Sequence, residues 1–478
     1  MKIFIVMLSL ILVPVKTQHV KSRREEPQRK QGNVEFSTLV LTGQYIDKSL
    51  LVNEFFENRD DYIIYVTAPS GFGKSVNIEM LKSFLEIQVD KNGTEITNKS
   101  TTNNFKLFTG LKIFQQHPQL FNWTFGLYPV VTIDYQLLST ASYYEDMVGA
   151  MRLILGNTFK NHEYLAHVDN LWGLSCDIDT FIEYLDTENY PTLSEVKIKT
   201  GFLYLCKILF TYFKRKVVVL IDQYDSFVNS IVFEHNTAGK AFNLFQYING
   251  DLFMGGRSYI QRIFCTGTLQ VVFGGLLPVD QDLQCYPFLH KHQWNSFFGL
   301  TSEDVDLLLE EKYDTERDFD IKNMKDHIRK YYGGYKLIGN ATDIYKIQPV
   351  INCASVKKYD TVVNDNSTDH IYDFLSSVLK YKKVKECFIK LLQDENEISI
   401  ENDLALSEND FVTLQKMFSL KEYKITSNHL LVILKYLLQI GILSYKTHSA
   451  SEYVLSLPNS EVKLKLKSCI TESKTYTK

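Results

Sequence analysis

Tyr62-Ile-Ile-Tyr-Val-Thr67 is a short run of β-branched and aromatic residues, closed by Pro69 and Gly71. That composition and length predict a buried strand. From Ser75 to Ile87 the apolar residues fall at Val76, Ile78, Met80, Leu81, Phe84, Leu85 and Ile87. They follow the period of a helix rather than strict alternation. Leu127 to Asp134 predicts a second strand, and Phe202 to Phe213 a densely apolar helix. Val217 to Ile221 is an unbroken apolar run ending at Asp222, as in a parallel sheet covered on both faces. Arg262 to Thr266 is a further strand, stopped by Gly267. Strand and helix alternate from about Phe36 to Leu300, which predicts an α/β fold: a parallel sheet flanked by helices. From Thr301 the pattern turns acidic and Leu-rich, with Glu303 and Asp304 suited to the N-terminal dipole of a helix. Helical stretches follow, broken at Gly333-Gly334 and near Pro349 and Pro458. We read 36–300 as the α/β domain, 301–355 as a helical lid and 356–478 as a mainly helical C-terminal region.

Composition narrows the function. The net charge of −4 and pI near 6.3 give the whole surface no attraction for nucleic acid or anionic membrane, so no nucleic-acid partner is expected. At the N-terminus, Met1-Lys2 precedes an apolar run from Ile3 to Val13, then Pro14 and a polar exit. This is the pattern of a secretory signal peptide over 1–17, followed by a charged leader over 18–35. A buried first element and an uncleaved anchor are the competing readings, although the run is short against the roughly 20 apolar residues that span a bilayer. Secretion is the expectation, with no transmembrane segment in the mature chain. The seven cysteines are sparse and form no CxxC pair, which excludes a disulfide-dense scaffold and a zinc ribbon. Sequons at Asn92, Asn98, Asn122, Asn340 and Asn366 are candidate glycosylation sites. Asn92 and Asn98 lie in a polar run predicted to be a loop.

The chemistry concentrates between the first strand and its helix. A phosphate-binding loop needs small residues whose backbone N–H groups wrap phosphate oxygens, a Lys for the outer phosphates and a Ser or Thr hydroxyl for Mg²⁺. The following helix must point its N-terminus at the anion. In Ala68-Pro-Ser-Gly-Phe-Gly-Lys-Ser75, Gly71, Phe72, Gly73, Lys74 and Ser75 fill that pattern. Ala68 stands where the strict pattern has its first Gly. This is a P-loop NTPase motif, implying ATP and Mg²⁺. Asp222, at the end of its strand, is positioned to hold Mg²⁺ through water beside Ser75. Gln223 follows it, where many ATPases place a Glu that polarises the attacking water, and an amide cannot take the proton. Thr266, in Thr266-Gly267-Thr268, is a candidate contact to the outer phosphate or the water; an ordinary strand-ending turn is the alternative.

These residues, with others in the same order, resemble the AAA-ATPase-like family. The likeness runs through Tyr45-Ile-Asp-Lys48, Pro69 to Ser75, Tyr128-Pro-Val-Val131, Leu220-Ile-Asp-Gln-Tyr-Asp225, Cys265-Thr-Gly267 and Tyr331-Tyr-Gly-Gly-Tyr335. It covers about Phe36 to Ser355. The resemblance implies a P-loop ATPase whose relatives often carry a C-terminal nuclease-like domain; here no nuclease constellation is expected. This chain has Gln223 for the family's Glu, Ser70 and Gly71 for a basic pair, and no clear basic residue in Thr268-Leu-Gln270. All three departures imply weak hydrolysis. Two readings follow: a secreted or luminal protein that binds ATP–Mg and hydrolyses it poorly or not at all, or a secreted pseudo-enzyme that works as a protein-binding or effector module without nucleotide. The protein partner is unknown in both.

Overall fold

The computed structural model describes residues 35–473, apart from 169, 174–176, 187–192, 235–237, 272–282, 314–319, 338–342, 357–368, 394–396, 421–423 and 450. Residues 1–34, on which the expected signal peptide and all but the last residue of the expected leader fall, lie outside the described residues, as do Cys176, Asn340 and Asn366. Five strands build the central sheet: β1 (Ile63–Thr67), β2 (Val130–Asp134), β3 (Val217–Asp222), β4 (Ile260–Gly267) and β5 (Leu283–Tyr286). Their order is β2-β3-β4-β1-β5 and every pairing is parallel. β1 and β3 are buried along their whole length, which is why they read as continuous apolar runs. β2 starts later than the hydrophobic pattern suggests. Pro129 lacks an N–H for the ladder, although its carbonyl accepts from Val218 N at 2.9 Å.

Helices Lys74–Leu85, Tyr144–Lys160, Glu195–Phe213 and Ala238–Gly255 connect the strands. Beneath the first of them Phe84, Phe108, Phe121 and Phe125 pack edge-to-face, with Phe121 and Phe125 stacked at 4.8 Å. Helices Ser302–Tyr313, Ile321–Tyr332 and Ile347–Val356 share a smaller core of their own, centred on Leu309, Met324, Ile328, Tyr332 and Val350. The C-terminal region is mainly helical but adds an antiparallel sheet of β6 (Ser399–Glu401), β7 (Ser444–His448) and β8 (Glu452–Ser456), in the order β6-β8-β7. Its inward residues Ile400, Tyr445, Tyr453 and Leu455 join the same apolar core as the parallel sheet. Strands of three to five residues leave too short an alternation for the sequence pattern to reveal. No helix among the described residues is long and apolar enough to cross a membrane.

The Tyr45-Ile-Asp-Lys48 segment is a structural staple. Asp47 accepts from Ser49 N (2.8 Å) and Lys112 N (2.7 Å). Lys48 pairs with Asp304 at 2.6 Å and donates to Ser296 O at 3.1 Å. Asp304 also accepts from Thr301 N at 2.9 Å, so the largely enclosed Lys48–Asp304 pair ties the 45–48 segment to helix Ser302–Tyr313.

Burial of His162, at 3% exposure, sets a pH limit on the fold. Burial first, and Lys82 second, push its imidazole down to about 3 from 6.5. Below pH 6.5 the unfolded chain binds this proton and the folded chain does not, so stability falls as pH drops from 6.5 toward 3. The group alone should take away about 2 kcal/mol between pH 7 and pH 5. Urea unfolding at both pH values checks this: the loss should shrink by about that amount in His162→Gln, and an equal loss in both proteins would refute it.

Candidate phosphate-binding site

The loop after β1 is held from outside, leaving its backbone donors free. Ala68 N donates to Gly267 O (2.9 Å), Ile347 N to Gly71 O (2.9 Å) and Gly299 N to Phe72 O (3.0 Å). Gly71 and Gly73 have φ of 84° and 85°, left-handed values that side-chain-bearing residues rarely adopt. Gly73 is the left-handed N-cap of helix Lys74–Leu85. The N–H groups of Gly73, Lys74 and Ser75 have no acceptor among the described residues, as a site awaiting an anion requires. The Phe72 side chain does not face that space. It is fully buried against Phe288 (4.9 Å) and Tyr335 (5.2 Å), so only its backbone is placed to serve a ligand and the ring anchors the loop.

Lys74 lies inside the loop, donating to Ala68 O (2.6 Å) and Pro69 O (2.9 Å). Burial lowers its amine to about 8, against the opposing pull of Asp225 and Asp222. An ammonium turns easily from neutral carbonyls to phosphate, because the charge-assisted bond is the stronger one.

Opposite the loop is the carboxyl edge of β2, β3 and β4. Asp222 is 5% exposed. Its Oδ1 accepts from Thr266 Oγ1 (2.7 Å) and Gln223 N (2.9 Å). The fully buried Thr266 hydroxyl is therefore committed to Asp222 rather than turned toward an outer phosphate; it orients the carboxylate. Gln223 takes φ 53°, an uncommon conformation for such a residue, so the chain turns sharply straight after Asp222. Asp225 closes the turn. It accepts from Thr268 N (3.0 Å) and Leu269 N (2.8 Å), and a Cβ added to Gly267 would lie 2.6 Å from its Oδ1.

Asp134 ends β2 in register with Asp222. Burial, then Asp222, raises its carboxyl to about 6, a rise tempered by the side of the residue left open to solvent. Glu79, one turn beyond Ser75, is also raised, by burial first and in part by Asp222. Among the described residues no group of three or more His, Cys, Asp or Glu side chains converges to hold a metal, so a Mg²⁺ ion here would rest on Ser75, on Asp222 through water and on the phosphates themselves. Hard oxygen donors suit Mg²⁺. The residues present fit that ion.

The fold thus brings Gly71, Gly73, Lys74, Ser75, Asp222, Gln223 and Thr266 to one edge. Two neighbours escaped the sequence reading. Asp225 was visible in the Asp222-Gln-Tyr-Asp225 string, but its task as a turn clamp was not. Lys346 carried no motif at all. It is 6% exposed, a Cβ added to Gly71 would sit 3.7 Å from its Cδ, and its Nζ lies over the Tyr335 ring at 6.0 Å. It places a cation beside the loop from which the basic pair is missing. Of the sequons, Asn92, Asn98 and Asn122 are exposed. Cys206, Cys265, Cys285, Cys353, Cys387 and Cys469 are free thiols.

Among solved structures the chain is similar to the Aeropyrum pernix ORC2 protein in ADPNP–ADP complexes, at 11% identity and TM-score 0.38, and to Cdc6p of Pyrobaculum aerophilum, at 12% and 0.29. In each case 91% of this chain and 97% of the other are covered. Neither likeness is strong enough to carry an argument. No curated protein matches. The family described as "Predicted AAA-ATPase" matches residues 31–277. That stretch is more than half of the chain and takes in the loop, Asp222 and the Thr266 turn: the chain belongs to the AAA-ATPase-like family.

Proposed function

We propose that this protein binds ATP with Mg²⁺ at the 71–75 loop and hydrolyses it slowly, acting as a secreted or luminal member of its family. The observation that carries the reading is Lys74 held inside a loop of unpaired N–H groups, with Asp225 and Asp222 near enough to act on its charge. The N–H groups and Lys74 take the phosphates. Ser75 and, through water, Asp222 hold Mg²⁺, which when bound neutralises charge developing on the phosphates. Thr266 keeps Asp222 aimed. Gln223 orients water through its amide and removes no proton.

Gln223→Glu tests the assignment. The variant is expected to raise single-turnover ATP hydrolysis by about 100-fold, the scale of general-base catalysis, with ATP affinity little changed. An unchanged rate in a chain that binds ATP would remove Gln223 as the block. Secretion rests on the Met1–Thr17 pattern and predicts a mature N-terminus near residue 18; N-terminal sequencing that finds Met1 would refute it. The second reading, an effector module that uses no nucleotide, is favoured by one observation: the Lys74 amine is already satisfied by two carbonyls of its own loop.

A further inference from the structure

β2 and β3 run in unbroken parallel register from Val130↔Val218 to Asp134↔Asp222. Their last residues therefore end side by side, roughly 4.8 Å apart. Across the sheet β3 pairs Ile221 with Cys265 of β4, so Asp134, Asp222 and Thr266 form a row across three strand ends. Glu79, on helix Lys74–Leu85, is near enough for its charge to be felt by Asp134 and for that of Asp222 to be felt by it.

The carboxylates at this edge have different commitments. Asp222 is held by Thr266 and Gln223 N. Asp225 is buried and engaged by Thr268 and Leu269. Glu79 accepts from Phe36 N at 2.7 Å. Asp134 accepts only a short-range bond, from Gln136 N at 2.9 Å to Oδ1, and keeps a face open to water. Its other oxygen has no donor among the described residues.

Resting on the ATP-binding reading above, we propose that Asp134 is the catalytic base of this protein, taking over from the neighbouring strand the proton acceptance that Gln223 cannot perform. A water held between Gln223 and Asp134 attacks the γ-phosphorus. Its oxygen forms the new P–O bond, and its proton passes to the Asp134 carboxylate. The bond from the γ-phosphorus to the β–γ bridging oxygen breaks, and that electron pair leaves with ADP. The proton returns to bulk solvent when phosphate departs. The products are ADP and inorganic phosphate, with no other reactant consumed.

The test measures Mg·ATP binding by calorimetry and single-turnover hydrolysis on the same purified chains: wild type, Asp134→Asn, Asp134→Ala and Asp134→Glu. Asp134→Asn and Asp134→Ala are expected to lower the hydrolysis rate about 100-fold while Kd changes no more than about threefold, and Asp134→Glu is expected to recover part of the rate. A merely structural Asp134 would instead move Kd or the unfolding midpoint, with no rescue by Glu. The proposal is overturned if Asp134→Asn hydrolyses ATP within about threefold of wild type, or if wild type binds ATP and never turns it over. Absence of binding by folded wild type overturns the ATP reading itself, and the base with it.

Discussion

Lys74→Ala is expected to weaken Mg·ATP binding by at least about 100-fold, with the fold intact. The amine lies within the loop, and its present partners are two main-chain carbonyls rather than any side chain that the fold depends on. Truncating one partner of a desolvated charge pair costs about 2–5 kcal/mol, and tenfold in affinity corresponds to about 1.4 kcal/mol. Lys346 lies against Gly71 with its amine over the Tyr335 ring, so it does not stand where the missing amine was. Calorimetry on both proteins, with unfolding midpoints beside it, checks the prediction. Binding within about fivefold of wild type would mean that Lys74 does not face the phosphates.

Gly334→Ala should cost about 3 kcal/mol or more in stability. Gly334 holds φ 82°, and an added Cβ would lie 2.7 Å from the carbonyl carbon of Pro458 and collide with its oxygen. Left-handed strain contributes roughly 1–2 kcal/mol and overpacking roughly 1–3. Neither is easily relieved, since the surrounding backbone is pinned. Asn459 Nδ2 donates to Gly333 O (2.9 Å), Ser444 Oγ to Gly334 O (2.9 Å) and the Tyr335 hydroxyl to Gly441 O (3.1 Å). The Tyr331-Tyr-Gly-Gly-Tyr335 motif is thus where the lid meets the C-terminal region, and Tyr335 passes that contact to Phe72 in the loop. Urea unfolding measures the cost. Gly110→Ala, at an exposed position where an added Cβ meets nothing within 4 Å, is the control and should stay within about 0.5 kcal/mol. A stable Gly334→Ala would show that this docking is not tight.

Much of this was legible from residue pattern because the informative segments are extreme in composition. Val217 to Ile221 is fully buried from both faces, and such a run ending in Asp222 suits few arrangements besides a central parallel strand. The phosphate loop was legible because Gly71 and Gly73 are required by backbone geometry and Lys74 by charge. What escaped the reading depends on contacts between distant segments. Lys346 meets Gly71 only after the lid helices have folded back. Thr266 looked available for phosphate because its bond to Asp222 joins two strands whose adjacency no local pattern encodes. Phe72 looked like part of a binding loop, and its ring proved to be core because Phe288 and Tyr335 come to it from far along the chain. Asp134 was read only as the end of a strand. Its place beside Asp222 follows from the β2–β3 register.

The most direct measurement is titration of ATP into the purified wild-type chain by calorimetry, with and without Mg²⁺. The account predicts saturable binding of one nucleotide per chain, strengthened by Mg²⁺ through Ser75 and Asp222. A folded chain that releases no heat with ATP, in either condition and across several temperatures, would contradict it and leave the 71–75 loop as a structural turn.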